Sequence, residues 1–405
     1  MAKIRSRDLD VVVIGGGVSG IWAAIAAAGE GAHTGLVEKN ARFGDRIVCA
    51  EGVRADHLSR FVETRPEWVA ASIDGVRFFA PDGNVVEVEE PGTAFILNKE
   101  LFVRGLAQMA ASRGVEMHLG LEASTVKPAS CGDLEVSLAS RSQPAGSVIR
   151  CGAVVAADGL ECRIGRELGL SGALDPSDVF LCAQYTVSPI ELNPHLAEFH
   201  FGQDVAPGGY AWVFPKGETT ANLGVGIARR GAAVGGQRRA ASAMERLVRF
   251  RERRAPKSQV LGRVVGGVPA ERAPYKASVG GVFLAGDAAR LADPVTGAGI
   301  VTGMASGELG GVFAARYAKG SERPQQVEKE FAKALKAEFR DRKLRWAARK
   351  ALLGMSDREL SRMIELIGAY ARGGASLRSG PVAILKFMAK SMPTSFRLAR
   401  HLLGG

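Results

Sequence analysis

Gly15-Gly16-Gly17-Val18-Ser19-Gly20 follows directly on Asp10-Val11-Val12-Val13-Ile14, and a long small-residue stretch comes next. A short β-branched run that ends in closely spaced glycines and continues into an apolar helical pattern predicts strand, tight turn and helix. His33-Thr34-Gly35-Leu36-Val37 then predicts a second strand ending at Glu38, 18 residues after Gly20. This is the spacing of a βαβ unit that carries a pyrophosphate on its helix N-terminus and a ribose hydroxyl on its acidic residue. Gly15 serves the turn, Gly17 the approach of backbone to phosphate, and Gly20 the packing of helix on strand. A carboxylate at 38 disfavours a 2′-phosphate, so FAD or NAD fits better than NADP.

Val11 to Gly29 carries no charge and follows Lys3, Arg5 and Arg7, which imitates a secretory signal or a single span. Five glycines in those 19 positions, three of them consecutive, suit a sharp turn better than an unbroken apolar helix. Two later motifs support the dinucleotide reading: Ala157-Asp158-Gly159 in mid-chain and Ala285-Gly286-Asp287-Ala288-Ala289 after the apolar run Gly281–Leu284.

A chain of 405 residues exceeds the size at which one core keeps growing, so two or three domains are expected. The five cysteines, at 49, 131, 151, 162 and 182, form no CxxC pair, which argues against a zinc site or disulfide framework and for a reducing cytoplasm. No metal site is expected. Residues 321–405 hold 18 Lys and Arg against 8 Asp and Glu, so +10 of the net +11 resides in the tail.

Strands are expected at 75–79 and 85–88 around Pro81-Asp82-Gly83-Asn84, a helix over 98–113, and further strands at 115–119, 133–138 and 148–157. Four strands without intervening helices, near 180–187, 197–201, 210–214 and 220–228, predict an antiparallel sheet forming a second wall for a substrate. A helix is expected over 238–254, and helices continue from 321 to the end. The fold class expected is α/β. A discontinuous Rossmann-like FAD-binding domain (1–72, 99–180 and 265–320) carries an inserted antiparallel-sheet substrate domain (73–98 and 181–264), followed by a basic helical region, 321–405.

Four stretches resemble flavoproteins related to para-hydroxybenzoate hydroxylase, and within them the geranylgeranyl reductases. They are the glycine loop with Glu38; Gly44 to Val53, which holds a Cys-x-Glu-Gly segment; Tyr210-Ala211-Trp212-Val213-Phe214-Pro215; and Gly286 to Ile300, with its Pro-x-Thr-Gly-x-Gly-Ile run. The resemblance implies FAD as cofactor, with contacts from Val18, Glu38, Lys39, Cys49, Ala50, Gly52, Lys99, Ala123, Asp158, Asp287, Gly297, Gly299 and Ile300 alongside the loop glycines. Lys99 stands where the family more often has arginine, replacing a planar fork by a point charge. Cys162 stands where serine is usual, which puts the role of Asp158 in question. A helix starting near Gly299 would direct free amides at the negative N1–C2 edge of a reduced flavin.

Cys49 is the candidate catalytic residue, as a flavin or substrate contact; a buried structural cysteine is the alternative. Asp287 reads either as a ribityl contact or as a helix cap. The period of two puts Tyr210, Trp212 and Phe214 on one strand face, either lining an apolar substrate pocket or filling a sheet core. The basic tail has three readings: a solvated helical face, a contact with anionic lipid at the inner face of the membrane, or a phosphate headgroup site. For the membrane reading, Val382 to Leu403 fits an interfacial helix pair. No nucleic-acid module is present.

The expected activity is saturation of isoprenoid double bonds on a lipid, with electrons from an external donor, NAD(P)H or a ferredoxin-type protein. The alternative is a flavin monooxygenase or halogenase. Halogenases favour Trp-x-Trp where this chain has Tyr210-Ala211-Trp212.

Overall fold

The first strand, β1 (Leu9–Ile14), is buried almost throughout, and the chain turns through the glycines into α1 (Val18–Gly29) and β2 (Thr34–Glu38). The computed structural model describes residues 7–140, 146–172, 174, 179–228, 242–269 and 276–374. Next come β3 (Gly52–Arg54), α2 (Ala55–Leu58), and the long hairpin of β4 (Val69–Phe79) and β5 (Val85–Leu97). Then follow α3 (Lys99–Ser112), β6 (Glu116–Leu119), β7 (Glu122–Pro128), β8 (Leu134–Ala139), β9 (Ser147–Ala156) and the short α4 (Arg163–Glu167). The second half holds β10 (Val179–Ser188), β11 (Leu196–His200), β12 (Tyr210–Pro215), β13 (Ala221–Ala228), α5 (Ala243–Arg254) and β14 (Gln259–Pro269). It closes with β15 (Ser278–Val279), β16 (Val282–Leu284), α6 (Ile300–Lys319), α7 (Pro324–Glu338), α8 (Arg342–Leu353) and α9 (Asp357–Arg372).

One sheet runs β15-β16-β9-β1-β2-β6, with β7 and β8 attached to β9 as an antiparallel flap. Its centre is parallel: β1 lies between β2 and β9, and β9 pairs with β16. Three stretches distant in sequence therefore end at one sheet edge. This is the expected α/β dinucleotide arrangement, and ligands bind beyond the carboxyl ends of such strands. α6 lies directly on α1, and the contact needs small residues. A Cβ added to Gly307 would stand 2.3 Å from the Ser19 carbonyl oxygen, and one at Gly311 2.1 Å from that of Ala23.

The second sheet runs β14-β10-β13-β12-β11-β4-β5-β3. It is antiparallel except at one seam, where β11 lies parallel to β4. The seam joins the early hairpin to the later strands, a long-range pairing that local patterns do not encode. Gly52–Arg54, within the expected 1–72 segment, pairs with β5 in this sheet, and β14 runs across the expected 264/265 boundary. The strand β14 lies outside the expected strands, because its glycines at 262, 266 and 267 interrupt the alternation that marks a strand. The alternation along β12 divides the sheet's faces. Ala211 and Val213 pack beneath α5, while Trp212 and Phe214 join Ile73, Ile96 and Ala197 on the other face. Residues 382–403, expected as interfacial helices, and the first turn expected near 238 lie outside the described residues.

Candidate functional site at the junction of the two sheets

The glycine loop has the expected form. Gly15 adopts φ +108°, and a Cβ on Gly20 would stand 1.8 Å from the Gly15 carbonyl oxygen, so the first turn of α1 can rest only on a glycine there. The space beside Gly17 is open. Glu38 is buried at the end of β2; its Oε2 accepts from the Gly16 amide at 2.6 Å and its Oε1 from the Asn40 amide at 2.8 Å. Leu121 donates its amide to the Glu38 carbonyl at 3.1 Å, which brings the segment leading to buried Ala123 against the same strand end. Lys39 is exposed.

The late motif adjoins this loop: a Cβ on Gly286 would meet Ser19 Cβ at 2.8 Å. Asp287 lies close to Gly299, whose added Cβ would be 3.8 Å from Oδ1. Burial pushes the Asp287 carboxyl up, and the positive charge of Lys99 pulls it down. Ile300 is buried at the start of α6.

Cys49, Ala50 and Gly52 form the next side. Ala50 packs against the Trp212–Phe214 cluster, and a Cβ on Gly52 would stand 3.2 Å from the Phe214 ring. Trp212 Nε1 donates to Gln184 Oε1 at 3.0 Å, and Gln184 Nε2 donates to the Cys49 carbonyl at 3.3 Å. The Cys49 sulfur accepts from the Glu51 amide at 3.2 Å. Tyr210 Oη donates to the Thr296 carbonyl, closing the wall against the loop that holds Gly297 and Gly299. Burial and the neighbouring Cys49 push the Cys182 thiol up to about 12, so Cys182 behaves as an apolar lining residue.

Glu51, the acidic residue of the Cys-x-Glu-Gly segment but not among the expected cofactor contacts, organises this junction. It is buried with φ +71°, and its Oε2 accepts from Lys216 Nζ at 2.8 Å and Asn222 Nδ2 at 2.6 Å. Its Oε1 accepts from the Lys99 amide at 3.1 Å, and Lys216 Nζ also donates to the Leu97 carbonyl at 2.7 Å. One carboxylate thus fixes β3, the start of α3 and the β12–β13 corner. The signal for it in the sequence is the Cys-x-Glu-Gly segment itself, with a charged residue, Lys216, immediately after the aromatic strand as its partner.

Asp158 adjoins the glycine loop through its backbone: a Cβ on Gly15 would stand 3.4 Å from the Asp158 amide nitrogen. Its Oδ2 accepts from the Ile164 amide at 3.0 Å at the start of α4, and burial raises its pKa. Its Oδ1 is buried without a partner.

These residues fit a bound FAD on two independent grounds. α1 and α6 begin at Gly17 and Gly299 without a side-chain cap and with room in front of them: a Cβ on Gly17 would meet nothing within 4 Å, and one on Gly299 only Asp287 Oδ1, at 3.8 Å. Two helix N-termini that open onto free space suit a pyrophosphate and an anionic ring edge. The open space at Gly17, beside the Glu38 carboxylate, suits the nucleotide half. Among the described residues there is no His/Cys/Asp/Glu group arranged to hold a metal ion, and no helix long and apolar enough to cross a membrane.

The comparisons with known proteins agree with this geometry. Residues 10–206 match the FAD dependent oxidoreductase family, and residues 178–268 match the geranylgeranyl reductase catalytic domain. Digeranylgeranylglycerophospholipid reductase of Methanocella arvoryzae is 37% identical over 311 residues, spanning 75% of this chain and 76% of that protein. The protein of the same name from Methanothrix thermoacetophila is 38% identical over 308 residues, 75% of this chain and 76% of its own. A geranylgeranyl bacteriochlorophyll reductase-like protein from Thermoplasma acidophilum superposes with a TM-score of 0.88 at 28% identity, covering 97% of this chain and 99% of that one. A flavin-dependent brominase, with TM-score 0.69 and 15% identity over 95% of this chain and 99% of its own, shares the fold alone. The uncapped helices, the carboxylate at the end of β2 and these matches lead to one conclusion: the chain is a FAD-dependent oxidoreductase of the geranylgeranyl reductase family.

Proposed function

We propose that this enzyme saturates carbon–carbon double bonds of geranylgeranyl-type chains carried on a glycerophospholipid. The observation that carries the reading is the aromatic face of β12. Trp212 and Phe214 turn away from the α5 core and toward Ala50 and Gly52, beside the late glycine segment. An apolar wall of this kind suits a long hydrocarbon and excludes water from it. The relatives named above supply the substrate class.

FAD, when bound, supplies the reducing equivalent, which an external donor restores. The chain's own residues do the rest in this reading. Gly15, Gly17, Val18, Gly20 and Glu38 hold the nucleotide half, and Lys99, Asp287, Gly297, Gly299 and Ile300 surround the reactive half. Cys49 and Ala50 stand between that half and the aromatic face, so Cys49 contacts substrate. Gln184 holds Trp212 and the Cys49 carbonyl in register, which keeps the alkene aligned with the flavin.

The reading includes contact with a membrane surface, where such a lipid resides. Residues 375–405 contain five Lys and Arg and no Asp or Glu, a composition attracted to anionic lipid.

The test is anaerobic turnover. Reduced protein is mixed with a digeranylgeranylglycerophospholipid and the product is weighed by mass spectrometry. A gain of two hydrogens per double bond supports the proposal. Substrate conversion only with oxygen uptake would move the enzyme to the monooxygenases and halogenases.

A further inference from the structure

The basic C-terminal region has a use that none of the three sequence readings covered. Arg342, Arg345 and Arg349 lie on one face of α8, at i, i+3 and i+7, and all three reach the segment that precedes Gly297. Arg342 donates to the carbonyls of Ala292, at 2.8 Å, and of Arg290. Arg349 donates to the Pro294 carbonyl at 3.5 Å, and its guanidinium lies 3.7 Å from the Phe180 ring centroid, which ties α8 to β10. Arg345 Nη1 donates to Asp293 Oδ2 at 2.5 Å.

Asp293 closes the turn ahead of α6. Its Oδ1 accepts from the amides of Val295, at 2.9 Å, and Thr296, at 2.8 Å, and from the Thr296 hydroxyl at 3.1 Å. Its backbone amide donates to the Ala298 carbonyl, and the Gly297 amide donates to its carbonyl, both at 2.8 Å. The turn is held from the other side by Tyr210, through the Thr296 carbonyl. It therefore sits between α8 and the substrate sheet, and its exit sets where the first amides of α6 point.

We propose that Arg345 is a positioning residue: through Asp293 it fixes the 293–299 turn, and so the placement of the uncapped α6 N-terminus against the anionic edge of the flavin. This rests on the reading that the reactive half of FAD lies at Gly297–Ile300. Preorganised donors stabilise charge only when they need not move to meet it. Loosening the turn therefore weakens reduced flavin more than oxidised flavin.

The test uses the full-length holoenzyme and measures the flavin midpoint potential, with FAD binding to the apoprotein and thermal stability alongside. R345M is expected to lower the preference for reduced over oxidised flavin about tenfold, a fall of about 30 mV for a two-electron couple. R345K, which restores a single charged donor, is expected to recover most of that fall. D293N keeps an oxygen for the turn amides while releasing Arg345; it should match R345M, and the double variant should fall no further, because the two act as one unit. Should R345M fail to fold, D293N carries the test. A folded R345M or D293N with wild-type potential and FAD affinity overturns the proposal. G297V, in the turn itself, separates the two levels. If it shifts the potential and R345M does not, only the role of Arg345 falls; if neither shifts it, the flavin lies elsewhere and the site reading falls too.

Discussion

The Trp212 indole packs against Gly224 of the neighbouring strand. A Cβ built on Gly224 would stand 2.2 Å from Cζ2 and 2.4 Å from Cε2 of the indole, and these two residues are register partners across β12 and β13. The indole keeps its place over the sheet, with Nε1 on Gln184, because position 224 has no side chain. Gly224→Ala is expected to cost about 1 to 3 kcal/mol by overpacking, or to tip the indole toward Cys49. Thermal unfolding monitored by tryptophan fluorescence reads both, and a wild-type melting curve with unchanged emission would contradict the packing described.

Glu51 and Lys216 form a mostly enclosed pair joining two loops and a strand. Removing one partner leaves a buried charge unpaired, which is costlier than removing both. Lys216→Met is expected to lose about 3 to 5 kcal/mol of stability, and Glu51→Gln with Lys216→Met to regain much of it. Urea unfolding of the two variants is the measurement, and equal losses in both would show that the pair is not coupled.

Glu198 governs part of the acid response. Burial alone would raise its pKa, but Arg254, at 2.7 and 2.9 Å, and His200, at 3.0 Å, outweigh burial and hold it at about 2. The folded value lies below the ordinary 4.5, so the folded protein binds fewer protons there than the unfolded chain. The resulting stability, about 3 kcal/mol, is complete above pH 4.5 and is lost as pH falls toward about 2. Burial holds His200 below 6.5, so acidification opposes the fold there as well. Urea midpoints at pH 6 and pH 3 should diverge less in Glu198→Gln than in the wild type.

Glu38 links the glycine loop to the end of β2 through the Gly16 amide. Glu38→Ala is expected to weaken FAD binding about 10- to 100-fold, the worth of a charge-assisted hydrogen bond in the folded loop together with a ribose contact. Titration of apoprotein with FAD, followed by flavin fluorescence, measures this directly. Undiminished affinity would remove Glu38 from the cofactor site.

The local devices can be read directly from the residues: the β-branched run, the loop glycines, the carboxylate at 38 and the alternation of Tyr210, Trp212 and Phe214. Each is legible because its physical cause lies within a few residues, in a φ value, a helix start or a period of two. What these devices face emerges from the packing of distant segments. The parallel seam between β11 and β4, the hub that Glu51 makes with Lys216 and Asn222, and the grip of Arg345 on Asp293 join residues 52 to 171 positions apart. Long-range ion pairs leave no periodic trace in a sequence. They arise once the elements pack and desolvation makes an unpaired charge costly, and for that reason the basic tail stays open in the sequence between a solvated face, anionic lipid and a phosphate headgroup, while the fold turns Arg342, Arg345 and Arg349 onto the 290–294 segment.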